Sequence, residues 1–326
     1  MIETLVDKAA RPPVILAPLA GITDLPFRQL VASFGADLVV SEMVASQEMV
    51  QAKPGVRERA EIGANVEGTA VQIAGREATW MARAARELAD QGARIIDINM
   101  GCPAKKVTNG YSGSALLRDL DHALSLIEAV VAAVDIPVTL KTRLGWDDKL
   151  MNAPTLARRA QDAGISWITI HGRTRCQFYK GHADWDAIAA VKDAVTIPVI
   201  ANGDITSAGD ARTALTASRA DGVMIGRGAQ GRPWLLAQVQ DSLSAKPQRP
   251  APQGADFIDM VHGHYDAMLS FYGDALGSRV ARKHLGWYMD VANTPAPIRR
   301  DVLTCKDPAQ VHNLLDRALM PEACAA

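Results

Sequence analysis

From Val14 onward, short apolar runs rich in valine and isoleucine alternate with longer stretches where alanine, leucine and arginine recur at helical spacing, the pattern of parallel β/α units. Eight runs read as strands: Val14 to Pro18, Leu38 to Glu42, Thr69 to Ile73, Arg94 to Asn99, Pro137 to Lys141, Trp167 to His171, Pro198 to Asn202 and Gly222 to Gly226. Their ends lie 24 to 42 residues apart, and eight such units fill about 240 residues, close to the ~250 of a typical (β/α)8 barrel. The pattern therefore predicts an α/β protein with a closed TIM barrel rather than an open doubly wound sheet. The intervening helices carry ordinary stop and start signals: Gly92 follows Thr79 to Asp90, Gly164 follows Ala153 to Ala163, and Ser207 can cap a helix through Ala217.

The alternation changes after Ser244. Residues Ala245 to Gly254 carry three prolines and a glycine, which reads as a linker, and beyond them the periodicity is wholly helical. Asp256 to Tyr272, Ser278 to Val291, a short piece after Pro297 and Pro308 to Met320 predict a small C-terminal α-helical bundle domain. The expected division is a barrel over 1–244, a linker over 245–254 and a helical domain over 255–326.

Within the barrel, the two-residue pleat sorts side chains between interior and helix-facing sides. In TLKTR, Thr139, Lys141 and Arg143 share one face; in ITIHGR, Thr169 and His171 oppose two isoleucines; in AVQIAG, Gln72 opposes Val71 and Ile73. Polar groups end each inward row. Barrel active sites lie at the C-terminal strand ends, so Gln72, Asn99, Lys141, His171 and Asn202 are expected to ring one mouth. A single polar strand end is usually a satisfied structural group; five converging ends point to a site.

Composition narrows the setting. A 48% hydrophobic chain of 326 residues buries a large core, and a formal net charge of -1 excludes a globally basic nucleic-acid coat, leaving only local clusters for RNA or DNA. Cys102, Cys176, Cys305 and Cys324 form no CxxC pair, no zinc spacing and no dense disulfide framework, so no metal is expected and reduced thiols in a cytoplasm are. The start MIETLVDKAARPP lacks a leader pattern, and no apolar run has the length to cross a bilayer, which predicts a soluble protein. A monomer is the default.

Candidate chemistry centres on DINMGCPAKK, Asp97 to Lys106, where a buried strand breaks at Gly101 and Pro103 and leaves Asn99 and Cys102 on a turn. A free cysteine is most often a small apolar filler, but a Gly-Cys-Pro turn followed by Lys105 and Lys106 suits an active-site mouth better. The loops ANGDI and GRGAQGRPW follow strands seven and eight, where such barrels hold phosphate. Gly226, Gly228 and Gly231 spell G-x-G-x-x-G; as a dinucleotide fingerprint the match is weak, but glycine amides with Arg227 make a phosphate cradle. A Lys, a His and a Gln beside that cradle suit a flavin mononucleotide (FMN), with Lys141 near the flavin N1 and C2 carbonyl and His171 assisting. The rival reading makes Lys141 a Schiff-base nucleophile.

Taken together, APLAGITDLPFR (Ala17 to Arg28), QIAG, INMGCPAKKV, GSALL, TLKTRLGW, IHGRTR, ANGDI and GRGAQGRPW resemble the tRNA-dihydrouridine synthases, and among them the bacterial B-type enzymes, over most of the chain. The resemblance implies a TIM barrel with FMN and a C-terminal helical domain that reduces a D-loop uridine of tRNA to dihydrouridine with NADPH, position 17 being the B-type target. It places the catalytic cysteine on Cys102 and flavin contacts on Pro18, Gln72, Lys141, His171, Asn202, Gly203, Gly226 and Arg227, with Asp204 beside them in ANGDI. Asn99 and Arg143 match positions that hold the target uracil. Cys176 and Phe178 depart from the polar or small residues more usual after HGRTR. Reduction by hydride at C6 needs a proton at C5, and thiols ordinarily titrate above neutral pH, so a cysteine can donate it. An unpaired base drawn to the mouth calls for a basic rim, for which Lys105, Lys106, Arg143, Arg173 and Arg175 are available, with Arg282 and Lys283 on the helical domain as further RNA contacts. Charges on such a helix are more often simply a solvated face.

Overall fold

The computed structural model describes residues 11–51, 61, 63 and 69–320; Cys324, the last residues of the expected helical domain and residues 1–10 of the start lie outside them. Among the described residues, nine strands form one parallel sheet: β1 Val14–Leu16, β2 Leu38–Val39, β3 Val44–Ala45, β4 Ala70–Ala74, β5 Ile95–Met100, β6 Val138–Arg143, β7 Trp167–His171, β8 Val199–Asn202 and β9 Gly222–Ile225. Their order is β2-β1-β9-β8-β7-β6-β5-β4-β3, and a parallel bridge from Val40 to Ala70 joins the two ends, closing the ring. The chain is a TIM barrel followed by a C-terminal helical bundle.

The expected second strand, Leu38 to Glu42, is the one element that differs in kind. It breaks after Val40, and pairing resumes as β3. The cause is a side chain: the Gln72 amide donates to Ser41 Oγ at 3.1 Å, so a hydroxyl takes a ladder position that a carbonyl would otherwise hold. The break frees Glu42 to accept the Gly21 amide at 2.5 Å, tying the loop after β1 to the mouth.

Inside the ring, inward positions stack in layers as the pleat predicts. Ile15, Leu38, Val40, Ala70, Ile95, Trp167, Ile200 and Met224 form a buried apolar plug. Register then places Gln72 beside Asp97, Asp97 beside Thr139, Asn99 beside Lys141, and His171 beside Asn202. The apolar plug thus closes the barrel below, and polar side chains collect above it at the C-terminal strand ends. Outward residues such as Val71, Ile73, Ile96, Ile98, Leu140, Ile168 and Ile170 pack into the core between sheet and helices.

Beyond the barrel run helices Gly254–Tyr272, Asp274–Val291, Ala296–Thr304 and Pro308–Leu319. The proline-rich stretch before them is held rather than free: Arg249 pairs with Asp241 at 2.8 Å and donates to the carbonyls of Phe34 and Ala237. The first two bundle helices pack on Leu25–Ser33, the helix after β1, where Phe27 lies 4.9 Å from His284 and 5.8 Å from His264, centre to centre. No helix among the described residues is long and apolar enough to cross a membrane.

Candidate active site

A cavity of about 750 Å³ opens at the C-terminal end of the barrel, within the range of small-molecule and cofactor sites. Of the residues expected there, Pro18, Gln72, Asn99, Cys102, Lys141, Arg143, His171, Asn202, Gly203, Asp204, Gly226 and Arg227 all line it. Lys105, Lys106, Arg173, Arg175, Arg282 and Lys283 are not among its lining residues.

Cys102 sits on the turn after β5. Its amide and that of Gly101 donate to Asn99 Oδ1 at 3.0 and 3.2 Å, and its carbonyl accepts from Ser114 Oγ at 2.8 Å. Gly113, at φ +59°, lies against this turn so closely that a Cβ there would stand 2.9 Å from the Cys102 carbonyl oxygen. The turn is therefore clamped on both sides, which explains why GSALL accompanies GCP in the sequence.

Lys141 donates to Asn202 Oδ1 at 2.9 Å. Burial first, and then the nearby Arg143 charge, lower its pKa to about 8, partly opposed by Asp97 and Cys102. Its remaining exposure is to the cavity, because it lines that cavity rather than the outer surface. His171 is pushed well below its usual value by burial and by Arg143, Lys141, Arg173 and Arg227, so it is neutral at pH 7.

The loop after β8 turns sharply at Gly203, φ +118°, where a Cβ would meet His171 and Ala183 at under 3 Å. Asp204 follows in the left-handed region at φ +53° and is held by Arg173, with Nη1 to Oδ1 at 2.9 Å and Nη2 to Oδ2 at 2.5 Å. Burial alone would raise the Asp204 pKa; the Arg173 hydrogen bond, the Ala183 amide and the Arg173 and Arg227 charges outweigh it and hold it below the usual carboxylate range.

This corrects one expectation. Arg173 is not a rim cation: its side chain is 1% exposed, and it also donates to the carbonyls of Lys180 and Gly181. Arg175 stacks on Trp146 with 4.7 Å to the ring centre, which leaves it half-buried beside the mouth. Lys105 and Lys106 are exposed on the short helix after the Cys102 turn. Lys283 is exposed too, and donates to the Gly21 carbonyl at 3.3 Å, while Arg282 is half-buried.

Tyr179 lines the cavity without having been singled out from the sequence. Its ring lies under two guanidinium groups, Arg143 at 5.4 Å and Arg227 at 5.1 Å, a favourable cation–π arrangement. Its sequence signal is its place just after Cys176 and Phe178, the segment that departs from the residues more usual after HGRTR.

The family model described as dihydrouridine synthase matches residues 15–323. The chain belongs to the dihydrouridine synthase family. A probable tRNA-dihydrouridine synthase of Rhodobacter capsulatus is 60% identical over 96% of this chain and 97% of its own length. One from Rhizobium leguminosarum is 55% identical over 94% of this chain and 95% of its own. The tRNA-dihydrouridine synthase B of Pseudomonas syringae is 51% identical over 85% of this chain and 82% of its own, placing this member of the family with the bacterial B-type. Among solved structures, histamine dehydrogenase from Rhizobium sp. 4-9 aligns with a TM-score of 0.54 at 13% identity, covering 81% of this chain and 51% of that one, a likeness of fold alone.

Proposed function

We propose that this protein reduces the C5=C6 bond of a D-loop uridine in tRNA, giving 5,6-dihydrouridine, with FMN as its bound redox group, NADPH as reductant and Cys102 as the acid. Family membership supports the substrate class. The observation that carries the chemistry is that Cys102 shares one cavity with Lys141, His171 and the two glycine-bearing loops.

The donor set fits an anionic, ring-bearing cofactor. The lining holds Lys141, Arg143, Arg227 and Arg232, while its acid, Asp204, is already paired with Arg173 and Arg227. The surplus of positive charge matches a phosphate and an electron-rich ring edge. Lys141 and Gln72 would hold the ring edge, neutral His171 would add a hydrogen bond, and the loops at Gly203 and Gly226 with Arg227 would take the phosphate.

FMN, when bound and reduced, supplies the hydride that adds to C6. Cys102 would give its proton to C5, so the product gains one hydrogen as hydride at C6 and one as a proton at C5. Two cations, Lys141 and Arg143, line the same cavity as Cys102, and solvent returns the proton to the sulfur. Arg143 donates from Nε to the Gly101 carbonyl and from Nη1 to those of Thr174 and Phe178, and Tyr179 makes a further side-chain hydrogen bond to the guanidinium, so Nη2 is the nitrogen without a backbone partner and the one that would reach the uracil. Asn99 keeps one amide hydrogen after its bond to Gln72, a donor for a uracil carbonyl.

The test is incubation of the FMN-loaded protein with an unmodified tRNA transcript and NADPH, followed by mass spectrometry for the gain of two hydrogens on one uridine. Conversion at one D-loop position is expected; an FMN-loaded protein that leaves every uridine unchanged would overturn the reading. Borohydride treatment with tRNA present should leave Lys141 unlabelled, which separates this chemistry from a Schiff-base mechanism.

A further inference from the structure

Behind Cys102 runs a buried hydrogen-bond chain whose direction is fixed at its far end. Thr139 Oγ1 donates to Asp97 Oδ1 at 2.6 Å, and Gln72 Nε2 donates to Asp97 Oδ2 at 2.6 Å. Asn99 Nδ2 donates to Gln72 Oε1 at 2.8 Å, and the amides of Gly101 and Cys102 donate to Asn99 Oδ1. Asp97 is 2% exposed, Gln72 1% and Asn99 8%.

Burial raises the Asp97 pKa, opposed by the Thr139 and Gln72 hydrogen bonds and the Lys141 charge; what sets the direction here is that both of its oxygens accept, one from Thr139 and one from Gln72, whereas each carboxamide can present either end. With Asp97 accepting, the Gln72 nitrogen turns inward and its oxygen must face Asn99. Asn99 then has to offer nitrogen to Gln72 and oxygen to the Cys102 turn. Reversing the two carboxamides would set the Asn99 amino group against two backbone N–H groups, a clash of donors at the cavity wall.

We infer that Asp97 is a positioning residue: acting through Gln72 and Asn99, it fixes the turn that carries Cys102 and makes this wall of the cavity donor-bearing toward ligand carbonyls. The inference deepens the uridine-reduction reading and rests on it for its consequence in turnover. The bland account, a core acid satisfied by its neighbours, explains the contacts at Asp97 but gives no reason for a change there to reach Cys102.

Asp97→Asn is the first test, because an asparagine can donate to the Gln72 oxygen and let the chain reverse. In the full chain as purified, iodoacetamide labelling of Cys102 is compared by mass spectrometry with that of exposed Cys176 in the same sample. A change in the Cys102 to Cys176 rate ratio of about fivefold or more is expected, since a buried hydrogen bond contributes on that order. With tRNA, kcat should fall roughly tenfold while KM stays within about twofold, the pattern of a displaced acid rather than lost binding. Thr139→Val removes a partner of Asp97 without changing the polarity, and should leave the ratio near that of wild type. Gln72→Met cuts the chain at its middle and should alter the ratio as Asp97→Asn does, which keeps the test intact should the Asp97 variant not fold. An unchanged ratio in either Asp97→Asn or Gln72→Met would overturn the inference. A wild type that labels as expected but never reduces tRNA would instead overturn the functional reading, because the labelling uses no RNA.

Discussion

Two buried polar regions of this molecule are built on opposite terms. At the barrel mouth, Asp97, Gln72 and Asn99 bond in sequence to one another and to backbone amides, and Lys141 is paired with Asn202. At the seam between the barrel and the helical bundle, His264 Nε2, both nitrogens of His284 and Arg28 Nη1 are buried with no hydrogen-bond partner. The mouth bonds Asp97, Gln72, Asn99 and Lys141 to their neighbours and so orients them, which is what reacting side chains need, although Thr169 Oγ1 beside Lys141 is buried without a partner. The seam carries the ordinary cost of unpaired burial, and burial keeps His284 neutral with a pKa near 3. Polar groups at the mouth are thus expected to govern rates, and those at the seam to govern stability.

The sharpest way to break this contrast is at Cys102. Replacing it with Ala should lower tRNA reduction by about 10²- to 10⁴-fold, the usual contribution of a positioned acid, with FMN binding and NADPH oxidation retained. Single-turnover kinetics with pre-reduced protein would read it. Unchanged tRNA turnover would remove Cys102 from the chemistry and the mouth from its special status.

Lys141 comes next. Its substitution by Met removes a charged hydrogen-bond donor from the cavity, and flavin affinity should drop by roughly 10- to 100-fold, measured by fluorescence quenching. The sign with pH follows from the pKa near 8: the ammonium is present below that value, so wild-type affinity should weaken as pH rises through about 8. The Lys141→Met variant should lose that dependence. A variant that keeps the same pH profile would locate the titrating group elsewhere.

At the seam the expected change is in stability. Asp24 caps the Leu25–Ser33 helix through the Phe27 amide and accepts from Tyr272, yet burial raises its pKa to about 6 against 3.8 in the unfolded chain. An acid raised on folding contributes stability below the unfolded value that is lost as pH rises from about 4 to 6. Asp24→Asn keeps a good cap and removes that loss, so it should stabilise the protein at pH 8 by about 1–2 kcal/mol and by little at pH 4. Urea midpoints at the two pH values decide it. A destabilised variant at pH 8 would mean that the Asp24 charge is supported by Arg28 more than its burial costs.

How much of this contrast could be read from the chain follows from the range of the interactions involved. The inward row Thr139, Lys141 and Arg143 was legible because a two-residue pleat is local, and Lys141 and Arg143 do line the cavity. The break after Val40 was not, because it depends on the Ser41 hydroxyl meeting an amide 31 residues away. Arg173 looked like a rim cation for the same reason: Asp204, which draws it inward, is equally distant in sequence. The burial of His264 and His284 was not legible either, since it follows from packing against Phe27, far away in the sequence.

The smallest expected effect concerns the rim where barrel and bundle meet. Lys283 reaches the Gly21 carbonyl from the bundle, and Leu19, Ala20 and Ile22 of that same loop line the cavity, so the bundle touches the mouth at a point with cationic charge. A polyanion entering the mouth should pass this charge and the half-buried Arg282 beside it. Surface charges act on RNA mainly through released counterions, so each phosphate contact shows in the salt dependence as well as in affinity. Reversing both, Arg282→Glu with Lys283→Glu, should weaken tRNA binding by about 3- to 10-fold and flatten the plot of log affinity against log salt by roughly one to two units. FMN content should not change, because neither side chain lines the cavity. Filter binding across a salt series reads both quantities. Equal affinity and equal slope would assign these charges to a solvated helix face and leave RNA recognition to the barrel side of the mouth, with Lys105, Lys106, Arg175, Arg227 and Arg232 among the cations there.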